Sequence, residues 1–578
     1  IMSDFNPLDR AKIAVHRSSF DLSSKKLFTA KVGEILPCYW QIAIPGNKYR
    51  ISSDWFTRTV PVNTAAYTRI KEYYDFYAVP LRLISRSLPQ AFTQMSDYMT
   101  SASSGTANAA QLSSVPYANL NLISTLLSTA VISGYVDDSG FGYCYGACKL
   151  LDYLGYGAVV GSGNFNKEAI TNQYLGVEYS ADSQNPLIFG TPMSVNLLPA
   201  LAYQKIYFDF FSNSQWEKHL AYSYNVDYWD GTDPITPVAD MFKLRYSDYP
   251  KDYYLGVLPA SQYGSVAFIQ PLDKSLASNV ILARSSDGLS NSSVRNPSSG
   301  NSVQTTSSNS LTSDRLLRVN TDLSALSIRA TEYLQRWKEV VQFASKDYSD
   351  QMRAQFGIKA PEYMGNHAHY IGGWSSVINI NEVLNTNLTA DSSQAVIAGK
   401  GVGSKSGHTL TYDCGAEHQV IMCVYHAVPL VDWALKGHNP QLTVTSISDF
   451  PQPAFDQLGM QPVSVLNLQN SPSTTSGNIG YNLRYWQWKS NVDTVHGGFR
   501  PSSTYQSWVA SFQSSWPLTS GQSSFSYQSF KVRPQQLNSI FESQISTSNY
   551  NLSYDQLLCN VNFTVYAVQN LDRNGLPY

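Results

Sequence analysis

The chain has 578 residues, with 14% charged side chains, 13% aromatic ones and a formal charge of −2. That balance argues against a protein holding nucleic acid by bulk charge, and low charge beside 39 tyrosines fits a surface largely hidden against other subunits; a Tyr-rich glycan-binding or glycan-degrading β-protein is the other class this composition allows. Six cysteines are too few for a disulfide framework, and no apolar run approaches the ~18 residues needed to span a bilayer, so free thiols and no membrane partner are expected.

Residues 1–20 read as an N-terminal arm without an apolar h-region, so no secretory signal is expected. The first 32 residues carry Arg10, Lys12, Arg17, Lys25, Lys26 and Lys31 against Asp4, Asp9 and Asp21, which is six minus three, or +3. Together with Lys531 and Arg533 near the other end, this marks a weak phosphate-facing lining in which neighbouring rings stack on bases. Ordinary solvated charge is the competing reading.

Residues 21–578 read as a single β-core with long insertions. The stretches 35–44, 72–79, 418–428 and 559–568 are rich in aromatic and branched residues and predict strands. In 72–79, Tyr73, Asp75 and Tyr77 face one side and Tyr74, Phe76 and Ala78 the other, so both faces should be covered. The near-identical phrases "FYAVPL" (76–81) and "YHAVPL" (425–430) predict strands that Pro80 and Pro429 bring to an end, because proline withholds a ladder donor.

Residues 100–190 form a mixed loop and helix insertion, followed by a helical pattern over 195–220 with Pro199 suited to the first turn. Residues 270–320 read as a surface excursion. Its centre, 284–314, is mostly Ser, Asn, Gly and Thr and cannot bury enough apolar surface to offset its ordering entropy. A helical segment occupies 321–356, with Thr321 and Asp322 as candidate N-caps. Over 323–344, Leu326, Tyr333, Leu334 and Trp337 share an apolar face.

Candidate chemistry is sparse. Cys144 and Cys148 lack a second pair at zinc spacing. His418 and His426 lie about 26 Å apart along one strand. His367 and His369 would share a strand face about 6.6 Å apart, a weak candidate metal pair without an evident third ligand. G-x-S-x-G, H-E-x-x-H and P-loop signatures are missing, so neither catalysis nor a cofactor is expected.

The motifs, taken in order, resemble the major capsid protein of the Microviridae, the small icosahedral phages with circular single-stranded DNA, and most of all the gokushovirus and Bacteroidetes-phage branch. The resemblance rests on "YDFYAVPLRLI" (74–84), "LLDYLGYG" (150–157), "LLPALAYQKIYFDFF" (197–211) and "LRYSDYPKDYYLGVLPASQYG" (244–264). It continues through "APEYMG" (360–365), "GAEHQVIMCVYHAVP" (415–429), "DFPQPAFDQLGMQPV" (449–463), "VHGGFR" (495–500) and "NLDRNGLPY" (570–578), spanning almost the whole chain. It implies an eight-stranded antiparallel jelly roll with long inserted loops and a few helices, closing as about 60 copies into a T=1 shell. It implies a virion protein assembled in the bacterial cytoplasm, with single-stranded DNA, a small basic DNA-associated protein and minor virion proteins as partners. It places the Ser/Asn-rich segment in a surface protrusion, a possible contact for a host surface glycan. It also gives Glu417 and His418 a place at a strand start rather than in catalysis. "NHAHYIGGWSS" is longer than the family's Gly-rich pattern, which leaves the conformation at His367 and His369 open.

Overall fold

The computed structural model describes residues 16–573 except 63–65, 87, 94–113, 130–141, 158, 160–192, 230–232, 268–293, 296–301, 304–324, 360–364, 385–396, 436, 469–476, 502, 514–524, 538–539, 542–543 and 547–550. Arg10, Lys12, most of the 100–190 insertion and most of the Ser/Asn-rich segment therefore lie outside the described residues.

Ten strands make one hydrogen-bonded sheet: β1 (Ser18–Asp21), β2 (Ser24–Ala30), β3 (Leu36–Ala43), β4 (Lys48–Thr59), β5 (Ile70–Pro80), β6 (His369–Leu384), β7 (Ile397–Ser406), β8 (Leu410–Asp413), β9 (Gln419–Pro429) and β10 (Leu557–Gln569). Every pairing in it is antiparallel. β1 and β2 pair with the same strand, β10, and β7 and β8 both pair with β4. The path β1/β2–β10–β4–β7/β8–β6–β5–β9–β3 thus has eight positions.

β6 is the corner. Its first half pairs with β5 and its second half with β7. Rings from the two halves of the sheet meet in the interior: Phe28 edge-on to Tyr425 at 5.2 Å, and Trp55 tilted on Tyr74 at 5.2 Å and Tyr39 on Phe563 at 5.6 Å between centroids. This mainly antiparallel, aromatic-filled layering with few helices is consistent with a jelly roll.

The double coverage expected for residues 72–79 is present. Tyr74 and Phe76 enter the ring-filled interior, where Phe76 meets Trp374 and Phe563. On the other face Tyr73 stacks on His426 at 4.8 Å, and Tyr77 packs on Phe210 and Tyr370. Pro80 and Pro429 are the last residues of β5 and β9, as their missing donors require. The two similar phrases sit on strands paired with each other. Gly373 pairs with Asp75, and a Cβ there would stand 1.9 Å from the Asp75 Oδ1 and 2.8 Å from the Tyr74 carbonyl, so only glycine lets these backbones approach.

The longer helices are α1 (Leu120–Thr129), α2 (Gly142–Leu154), α3 (Leu198–Ile206), α4 (Ala325–Phe343) and α5 (Tyr348–Phe356). All nine residues of α3 are buried, and Pro199 sits in its first turn; its two polar side chains are buried with partners, Gln204 donating to the Met241 and Lys243 carbonyls and Lys205 pairing with Asp209 at 2.8 Å. The 195–220 pattern is shorter than expected. After α3 the chain passes through a π-helical turn, Tyr207–Phe211, and turns extended at Ser212. Asn213 then starts a separate turn, its carbonyl accepting from Trp216 and Glu217 and its side chain from Gln215.

The chain divides into two units, one holding residues 262–345 with 354–356 and the other the remainder. Within the smaller unit the Tyr263 amide donates to the Lys338 carbonyl, and Tyr263 packs edge-on against Trp337. α4 forms where its 3–4 periodicity predicts. Its apolar face does not become core, for Leu326, Tyr333, Leu334 and Trp337 are all exposed. Periodicity reports which residues share a face, whereas burial needs a partner surface.

Candidate functional site

The basic residues singled out in the sequence do not converge. Arg17 and Lys25 are exposed on the β1/β2 edge, and Arg17 Nε donates to Asn570 Oδ1 at 2.8 Å. Strand alternation turns the next residue inward. Lys26 is half-buried, its Nζ 3.4 Å from the Tyr153 carbonyl, and it lines a cleft of about 390 Å³ with Phe28, Tyr145, Lys149, Tyr153 and Asp555.

Lys531 contradicts the phosphate-facing expectation. It is 0% exposed, with Nζ 2.6 Å from Asp248 Oδ1 and 3.5 Å from Glu217 Oε2. A charge enclosed and paired inside the subunit cannot meet a phosphate. Its segment is drawn inward because Lys531 and Asp248 form a backbone bridge. Glu217 also accepts from the Tyr207 hydroxyl at 2.8 Å and lies 4.0 Å from Arg245 Nη1. Arg533, two residues on, is half-buried, and burial lowers its pKa.

A second buried network joins α2 to the sheet. Lys149 Nζ lies 2.6 Å from Glu34 Oε2 and 3.0 Å from Asp555 Oδ2. Burial alone would lower the Lys149 pKa, but Asp555 and Glu34 outweigh it and hold the value raised. Burial raises Glu34 despite the lysine. Two carboxylates around one ammonium suit a structural clamp.

Inside the sheet, Glu72 is fully buried and accepts from four donors: Trp55 Nε1 at 2.9 Å, Thr57 Oγ1 at 2.7 Å, Ser376 Oγ at 2.5 Å and Tyr425 OH at 3.3 Å. Burial raises its pKa, and these hydrogen bonds act against the shift. On the opposite face burial lifts Asp75 to about 6 and lowers His426 to about 3. Perturbed groups of this kind mark active sites when they face a cleft. These three face packed side chains instead, and their shifts follow from desolvation.

The histidine pair does not share a strand face, because β6 begins only at His369. His367 Nε2 lies 2.8 Å from Asp347 Oδ1, and Nδ1 lies 4.0 Å from Asp209 Oδ1. Asp347 is also the N-cap of α5, accepting from the Ser349 amide at 2.9 Å. His367 thus ties a helix start to the end of the π-helical turn. Among the described residues, no three His, Cys, Asp or Glu side chains are grouped to hold a metal. Glu417 and His418 also have packing roles: Glu417 Oε1 pairs with Arg82 Nε at 2.8 Å, and His418 stacks on Phe92 at 3.9 Å.

The buried networks escaped sequence reasoning. Their signal was faint: a few charged residues, such as Glu72 and Asp75 in "KEYYDFYAV", inside aromatic-rich strands. More conspicuous is the outer surface, where many large apolar side chains are exposed, among them Leu442, Ile447, Leu458, Tyr67 and Tyr505. Tyr67 and Phe499 line a shallow cleft of about 250 Å³ with Arg69, Asp432, Thr494 and His496. No helix among the described residues is long and apolar enough to cross a membrane.

The family described as capsid protein (F protein) matches residues 188–572. Capsid protein VP1 of Chlamydia phage 1 is 25% identical over 198 residues, covering 32% of this chain and 33% of that protein. The match to VP1 thus spans about a third of its length, whereas the family match covers well over half of the chain, from the approach to α3 through β10. On that extent, and in agreement with the order of Microviridae motifs along the sequence, the chain belongs to the capsid protein (F protein) family.

Proposed function

We propose that this chain is the shell subunit of a Microviridae-type virion, with about 60 copies closing around a circular single-stranded DNA genome. The observation that carries this reading is the capsid-protein family match over residues 188–572. Capsid work is structural, so the scarcity of charge has a direct use: copies at −2 each pack side by side with little mutual repulsion. Assembly takes place in the bacterial host cytoplasm, and minor virion proteins join the shell. No observation favours the glycan-degrading alternative.

A nearly neutral subunit cannot balance the packaged phosphates. With Lys531 enclosed, Arg17, Lys25, Lys26 and Arg533 remain as DNA-facing residues, together with Arg10 and Lys12 of the arm. The rest of the charge falls to a small basic protein, polyamines or metal ions inside the particle. Expression and electron microscopy test both points. Closed particles of megadalton mass are expected, and DNA-filled ones should carry basic peptide or polycation. A stable ~64 kDa monomer would overturn the shell reading, and filled particles of this chain and DNA alone would overturn the counter-charge reading.

The Ser/Asn-rich segment, on this reading, serves contact with a host surface glycan rather than shell closure. Deleting residues 284–313 should leave particle yield unchanged and reduce adsorption to host cells at least tenfold. Adsorption equal to wild type would remove that role.

A further inference from the structure

Residues 439–460 form a long segment of the larger unit that contributes nothing to its core. None of the residues 441–458 is buried, although they lie between the sheet strand Pro429 ends and the buried Val463. Their large apolar side chains stand in solvent: Ile447 is 86% exposed, Leu442 72%, Leu458 65%, and Phe450 and Phe455 about half. Scattered exposed leucines are ordinary, but five large apolar residues in one short segment mark an interaction surface.

The segment is nonetheless held in shape. The Asn439 side chain accepts from the Gln441 amide at 2.9 Å, and Asp449 Oδ2 accepts from the Thr445 and Ser446 amides at 3.0 and 2.9 Å. Pro440, Pro451 and Pro453 restrict the backbone. Gln441 Nε2 donates to the Gln487 carbonyl at 3.1 Å, and Phe450 packs on Trp488. Capped turns and prolines without a core of their own are preorganised, so docking loses less conformational entropy.

Charge identifies the occupant. The only charged residues in 439–460 are Asp449 and Asp456. Asp449 is turned onto backbone amides, and Asp456 pairs with Lys489. The surface therefore offers neither cations for DNA phosphate nor free charge to select a basic or acidic partner. It offers apolar area to an equally charge-poor surface, and the chain itself, at 14% charged residues, presents such surfaces.

We propose that residues 439–460 form an interface arm that docks on a second copy of this chain. The inference rests on the shell reading and names a surface through which the copies meet.

Two variants of the full chain test it. In Leu442→Asp/Ile447→Asp, both carboxylates replace side chains already in solvent, so the subunit's unfolding midpoint should stay within about 1 °C, while particle yield by sedimentation and electron microscopy should fall at least tenfold. In Ile447→Cys, the new thiol should react with maleimide at least tenfold more slowly in assembled particles than in dissociated subunits, measured above the wild-type background. Wild-type yield from the double variant, or equal thiol reactivity in particles and subunits, would overturn the arm while leaving the shell reading in place. Failure of the wild-type chain to form particles at all would overturn the shell reading itself, and the arm with it.

Discussion

Lys531→Met should destabilise the dissociated subunit by about 3–5 kcal/mol, the range for removing one partner of a buried ion pair. The methionine fills the lysine's volume but leaves the Asp248 carboxylate, 2.6 Å from the lost ammonium, without its counter-charge in a low-dielectric site. Glu217 loses a second cation at 3.5 Å and retains Arg245 at 4.0 Å. Urea unfolding monitored by tryptophan fluorescence measures the effect as a lowered midpoint. Adding Asp248→Leu to the variant should recover most of the loss, because the uncompensated charge is then gone as well. Lys25→Met on the exposed β2 edge should change the stability by less than about 0.5 kcal/mol. Equal effects of Lys531→Met and Lys25→Met would show that the network contributes nothing.

Glu72→Ala should lower stability by about 2–4 kcal/mol, since leaving a buried donor unpaired costs about 1–3 kcal/mol and a small cavity adds to that. Trp55 Nε1 suffers less than the others because it also reaches Ser376 Oγ at 3.1 Å. Glu72→Gln should be much milder, for the hydroxyls of Thr57, Ser376 and Tyr425 can rotate to accept from the new amide. Its pH dependence distinguishes the carboxylate. Burial raises the folded-state pKa of Glu72 above the ordinary glutamate value. The folded state therefore holds the proton more tightly, and this group's contribution is present below about pH 4.3 and lost as pH rises through the raised value. Glu72→Gln should remove that component, so the urea midpoint of the variant relative to wild type should rise between pH 4 and pH 7. Parallel curves across this range would refute the assignment.

Strand identity was legible because it is local. Aromatic and branched runs over 72–79 and 418–428 became β5 and β9, and Pro80 and Pro429 end them where a missing donor must end a ladder. The helix over 323–344 was equally legible from its spacing. Its burial was not, because a face says nothing of what covers it. Family membership could be read from motif order, since each motif survives as a short string.

What the sequence could not determine was the company each charged residue keeps. Lys531 and Lys25 are the same residue type in similarly mixed surroundings, yet one is enclosed with Asp248 and Glu217 while the other is in solvent. The partners of Lys531 lie some 280 to 315 residues away in the chain, and Glu72 meets Ser376 and Tyr425 across about 300 to 350. The exposed arm was hidden for the converse reason: an apolar residue in sequence carries no mark of whether the fold will cover it. Composition and local pattern determine elements, their ends and the scarcity of charge. Only tertiary structure brings distant residues together and so decides which charges are buried and which apolar surfaces remain for another copy.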